Sequence, residues 1–124
     1  MKRKIKKGLK LIEKLIEKKE LLKKEYRSMV YAMRSYSFMI DHQFKNAYED
    51  IKTYFSQNNK NNYSMWYNKC ICEGILSLID SKYESSLASF SKANEKYIES
   101  KECFVYKALV SEKQYINTGD TKHI

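Results

Sequence analysis

Two segments, FKNAYEDIKTYF (44–55) and YESSLASFSKAN (83–94), start 39 residues apart and share one plan. Each opens on an aromatic residue, places a small residue three positions later (Ala47 or Ser86) and continues with apolar positions at helical spacing. A short polar turn precedes each, Asp41-His42-Gln43 or Asp80-Ser81-Lys82, and before that a helical stretch, 28–41 or 63–79. A helical hairpin recurring at a fixed period cannot bury its apolar face alone and does so by stacking on its neighbours. The recurrence therefore predicts an all-α array of hairpins. The chain has no Pro and only three Gly in 124 residues, so long helices meet few breakers. Disorder of the whole chain is excluded by its 43% apolar and 14% aromatic content.

The loop SQNNKNN (56–62) separates the first pair from the second, and a third leading helix is expected at about 101–116, closing at the NTGD turn (117–120). The units fall at about 28–57, 63–98 and 101–124, the last lacking its second helix. Phe104, Val105, Ala108 and Leu109 would then form a partly uncovered apolar stripe, which leads us to expect self-association, docking of the N-terminal helix, or a chain that is a fragment of a longer one.

With Tyr83 opening a second helix, Gly74 falls where two helices cross, and Ser86, Phe90 and Ala93 occupy small, aromatic and small positions. Ser35, Phe38, Phe44 and Ala47 match in the preceding unit, whereas Ile51 and Tyr54 replace the usual aromatic and small residue. In this register residues 28–120 resemble a degenerate tetratricopeptide repeat, without the Pro that often ends a unit. A weaker resemblance is to the repeat domains of the Rap, PlcR and arbitrium-receptor type of peptide-sensing regulators of low-GC Gram-positive bacteria and their phages. Those proteins are much longer, and no helix-turn-helix is legible here. The tetratricopeptide resemblance implies ligand binding on first-helix residues of a concave face, which makes Tyr67, Lys69, Glu73, Tyr106 and Lys107 the candidates for holding a peptide or protein segment.

Residues 1–27 are a different kind of sequence. Ile5, Leu9, Ile12 and Ile16 alternate steps of four and three, with Leu11, Leu15 and Leu22 widening the stripe of a basic amphipathic helix. The pattern runs on to Ile40 without a breaker, as one long helix or as two with a bend near Arg27-Ser28. Twelve Lys/Arg against four Glu give this segment +8 of the net +9, and the remaining residues only +1. An anionic partner would therefore meet this end. Three readings compete: phosphate neutralisation by Lys2, Arg3, Lys4, Lys6, Lys7, Lys10 and Lys14, contact with an anionic membrane, or the solvated side of a packing helix. Lys greatly outnumbers Arg here, which weakens base-specific readout.

Three Cys are too few and too odd in number for a disulfide framework, indicating a reducing compartment. Cys70 and Cys72 lie about 200° apart on a helix, so a shared metal is not expected and both are read as packing thiols. His42 reads as a polar turn residue, and Asp41, Glu49, Asp50, Glu73, Asp80 and Glu84 as members of solvated faces and helix ends. No phosphate loop, nucleophile elbow or His-Glu-x-x-His is present, and neither a signal peptide nor a membrane span is legible. The expectation is a cytoplasmic, non-enzymatic protein- or peptide-binding module without cofactor or metal, a regulator or adaptor of a low-GC bacterium or phage. The alternative is nucleic-acid binding through the Lys-rich helix.

Overall fold

A computed structural model describes residues 3–57, 62–96 and 101–118. They form six α-helices and no strand: α1 (Arg3–Glu17), α2 (Lys24–Ile40), α3 (Phe44–Gln57), α4 (Tyr63–Ile79), α5 (Tyr83–Lys96) and α6 (Lys101–Thr118). The NTGD turn lies mostly outside the described residues. The chain divides into two compact units, residues 1–65 and 66–124.

The 39-residue recurrence is written into the backbone. At the α2–α3 turn the Gln43 amide donates to the Phe38 carbonyl (2.8 Å) and the His42 amide to Met39 (3.0 Å). At the α4–α5 turn Lys82 donates to Ser77 (2.8 Å) and Ser81 to Leu78 (3.0 Å). This is the paired bonding of a Schellman helix end, and it requires a left-handed residue. His42 (φ 60°) and Ser81 (φ 58°) adopt it although neither is Gly. His42 also sets its ring edge-on to Phe44, 5.8 Å between centroids.

The helix expected to continue through residue 27 stops ten residues earlier. A 3-10 turn at Lys19–Leu21 reverses the chain, and the bend falls at 18–23, not at Arg27-Ser28. Folding back gives the α1 stripe a surface to cover, and Leu9 and Ile12 become buried against water, which an extended helix could not achieve. Arg27 holds the reversal. Its Nε donates to the Leu22 carbonyl at 3.1 Å and Nη2 to that of Glu20 at 3.4 Å. In the α2–α3 hairpin Ser35, Ala47, Ile51 and Tyr54 are buried. Asn62 caps α4 by accepting the Met65 amide (3.1 Å) while its Nδ2 donates to Tyr54 Oη (3.0 Å).

In the second unit the residues 39 positions on, Gly74, Ser86, Phe90 and Ala93, are likewise buried. Ser86 Oγ donates to the Gly74 carbonyl at 2.7 Å, and the Phe90 ring lies where a Cβ on Gly74 would meet it at 2.6 Å. Only a residue without a side chain admits that approach.

Three substitutions follow. Gly74→Ala gains helix propensity but must displace a buried ring, and should lose about 1–3 kcal/mol in urea unfolding. Gly8→Ala, where a Cβ meets nothing within 4 Å, should gain up to about 1 kcal/mol. Ser81→Gly, relieving the left-handed backbone, should gain about 1 kcal/mol.

Candidate functional site

The five residues expected to bind a ligand are distributed over three places in the second unit. Tyr67 Oη, on α4, donates to Glu102 Oε2 of α6 at 3.1 Å and lies 3.7 Å from Cys103 Sγ. Tyr106, one turn further along α6, stacks on Phe90 with centroids 5.0 Å apart and planes 9° off parallel. Burial, then Glu102, push its phenol above the ordinary range. These two tyrosines tie α4, α5 and α6 together. Lys69 and Glu73 pair at 3.6 Å one helical turn apart. They sit on another side of α4, since Lys69 is about 200° around the helix from Tyr67. Lys107 belongs to a third place, a groove of about 420 Å³ that it lines with Ala108, Ser111 and Glu112.

Two amides join this set that sequence reasoning did not single out. Asn68 Nδ2 and Asn94 Oδ1 are buried without a hydrogen-bond partner, which costs about 1–3 kcal/mol per group unless something else supplies the bond. The sequence signal for them is faint: Asn in a helix interior is a poor helix former.

Exposed apolar side chains form their longest runs on two helices. On α6 they are Phe104, Val105, Leu109, Tyr115 and Ile116, among them the stripe expected from the sequence. On α2 they are Tyr26, Met29, Met33, Tyr36 and Ile40, whose steps of three and four make one continuous face.

The first unit carries the net charge. Residues 1–65 hold sixteen Lys/Arg against seven Asp/Glu, and residues 66–124 hold eight against eight. Of the expected phosphate-binding residues, Lys2 lies outside the described residues, whereas Arg3, Lys4, Lys6, Lys7, Lys10 and Lys14 are all exposed on α1. Asp50 departs from expectation. It is buried, not solvated, because Arg34 reaches it with two hydrogen bonds of 2.8 and 2.7 Å while the guanidinium lies 5.8 and 5.7 Å from the Tyr31 and Phe38 ring centroids. The hydrogen bond to Asp50, partly opposed by burial, raises the Arg34 pKa.

All three Cys are free and buried. Desolvation, with help from Glu73, pushes the Cys70 thiol up to about 11 and Cys72 up to about 12. At neutral pH neither offers the thiolate that nucleophilic or metal chemistry requires. Among the described residues no three His, Cys, Asp or Glu converge as a metal site would need, and no helix is long and apolar enough to cross a membrane. No protein-family model, curated protein or solved structure matches the chain.

Two measurements check this description. Folded protein at pH 8 should react with a disulfide reagent at Cys70 and Cys72 far more slowly than protein in guanidinium, because raised pKa values leave the thiols protonated until pH approaches about 11. Arg34→Ala should cost about 3 kcal/mol in unfolding experiments by stranding the Asp50 carboxylate, and replacing both partners with apolar residues of similar volume should restore most of it.

Proposed function

We propose that the chain is a non-enzymatic protein- or peptide-binding helical module, acting in the cytoplasm as a regulator or adaptor. The observation that carries this reading is the pair of long apolar faces on α2 and α6, where Ile40 is 62% exposed, Phe104 60% and Ile116 69%. Scattered apolar residues on a surface need no explanation, but contiguous rows along one helix face are typical of interaction sites. An amphipathic helix seated on such a face would supply anchors at i, i+3, i+4 and i+7. The groove beside Lys107 adds polar groups in the second unit that a bound segment could use.

Nucleic-acid binding through α1 is the second reading, favoured by the location of the whole net charge on the first unit. Its affinity would be sequence-blind and fall steeply with salt.

The test is an amide-resonance titration of the full chain with amphipathic helical peptides whose polar faces are acidic, basic or neutral. Saturable shifts confined to the α2 or α6 faces are expected from at least one class. Failure of every class to bind, with a DNA or RNA duplex binding at low salt, would replace this reading by the second.

A further inference from the structure

The two helices of the α1–α2 hairpin divide their surfaces by chemistry. Glu13 of α1 contributes to the field at Arg34, which is bonded to Asp50 of α3, so the Glu13 side of α1 and the Arg34 side of α2 are the flank nearest α3. At about 100° per residue, Leu11 and Leu15 lie about 200° from Glu13, on the opposite flank. Met29, Met33 and Tyr36 lie about 100° to 160° from Arg34 around α2, also away from that flank. Two exposed apolar rows therefore run along the same side of the α1–α2 hairpin, with Leu11 64%, Met29 50% and Met33 48% exposed. Gly8 continues the α1 row one turn before Leu11, and a Cβ there would meet nothing within 4 Å, so the α1 wall is low at that point.

The acidic residues follow the same division, and the basic ones do not. Glu17, like Glu13, falls on the α3 flank together with Lys6 and Lys10, whereas Lys4, Lys7, Lys14 and Lys18, all exposed, border the apolar rows. No acidic residue of α1 lies on that side. A second copy of the chain would bring another basic edge to this one and be repelled, and an apolar segment alone would leave the lysines unused.

We infer that the groove between the exposed sides of α1 and α2 docks an acidic amphipathic helix of a partner protein, its apolar side against Leu11, Leu15, Met29 and Met33 and its carboxylates against Lys4, Lys7, Lys14 and Lys18. Tyr26 to Ile40 spans about 21 Å, the length of an α-helix of four turns. The unbranched, polarizable Met side chains adapt to differing apolar partners. This inference rests on the protein-binding reading and narrows it to one face and one class of partner.

The probe is a synthetic Leu/Glu peptide of about four helical turns with one apolar face, compared in full-chain anisotropy assays with a shuffled isomer of identical composition, a Leu/Lys counterpart and a DNA duplex of about 20 base pairs, at about 50 and about 200 mM salt. The acidic helix should bind at least about tenfold more tightly than the shuffled isomer or the Lys peptide. Met33→Glu should weaken it about tenfold, Lys7→Glu with Lys14→Glu should weaken it and flatten its salt dependence, and Leu109→Glu on α6 should leave it unchanged. Circular dichroism of each variant establishes that the fold is retained. Equal binding of the shuffled isomer would reduce the site to bare charge and overturn the inference, as would duplex binding that is lost in the Lys variants and preferred over every peptide. Acidic-helix binding that responds to Leu109→Glu and not to Met33→Glu would overturn the inference but leave the protein-binding reading standing. Binding by no helix at all would remove both.

Discussion

The close crossing of helices at small residues is the constraint on which the hairpins depend. Where α4 meets α5, the Phe90 ring occupies the space a Gly74 side chain would fill, and Ser86 turns its hydroxyl onto the Gly74 carbonyl at 2.7 Å. A hydroxyl that bonds locally can be buried without penalty, so a small polar residue serves here as well as Ala. In the first hairpin the corresponding residues are Ser35 and Ala47, and Ser35 satisfies its hydroxyl on the Ala32 carbonyl at 2.6 Å. Larger residues at these positions would push the helices apart and leave Ile51 or Phe90 with poorer neighbours.

The turns and the crossings reinforce one another. Each Schellman end stops its helix at a fixed residue and launches the next one after three intervening residues, which sets which small residues face each other. His42 and Ser81 bear left-handed backbone at φ 60° and 58°, a local strain that the bonded turn and the packed helices on either side hold in place. The first hairpin carries a further fastening, the bidentate Arg34–Asp50 pair. Glu13 of α1 adds a small favourable field at the same guanidinium.

The polar and apolar residues of greatest interest are thus sorted by helix geometry more than by sequence neighbourhood. Tyr67 and Lys69 are two positions apart, yet one is committed to Glu102 and Cys103 and the other to Glu73 on another side of α4. Lys19 and Tyr31 are twelve positions apart, yet the reversal at 18–23 brings Lys19 Nζ within 3.4 Å of Tyr31 Oη.

The sequence by itself determined the helices and their period. Fixed spacing of aromatic, small and apolar residues, with polar triplets between, specifies hairpins because helical periodicity and turn chemistry are local properties of the chain. It also located the charge and the exposed row on α6. Only the tertiary structure decided where α1 ends, since no Pro or Gly marks the reversal and the gain comes from burying Leu9 and Ile12 against residues that follow. The same holds for Asp50, polar in sequence but drawn inside by an arginine sixteen positions away, and for Asn68 and Asn94, whose unmet amides exist only once the helices close around them. Burial and pairing are properties of contacts between distant segments, and a local pattern carries no record of them.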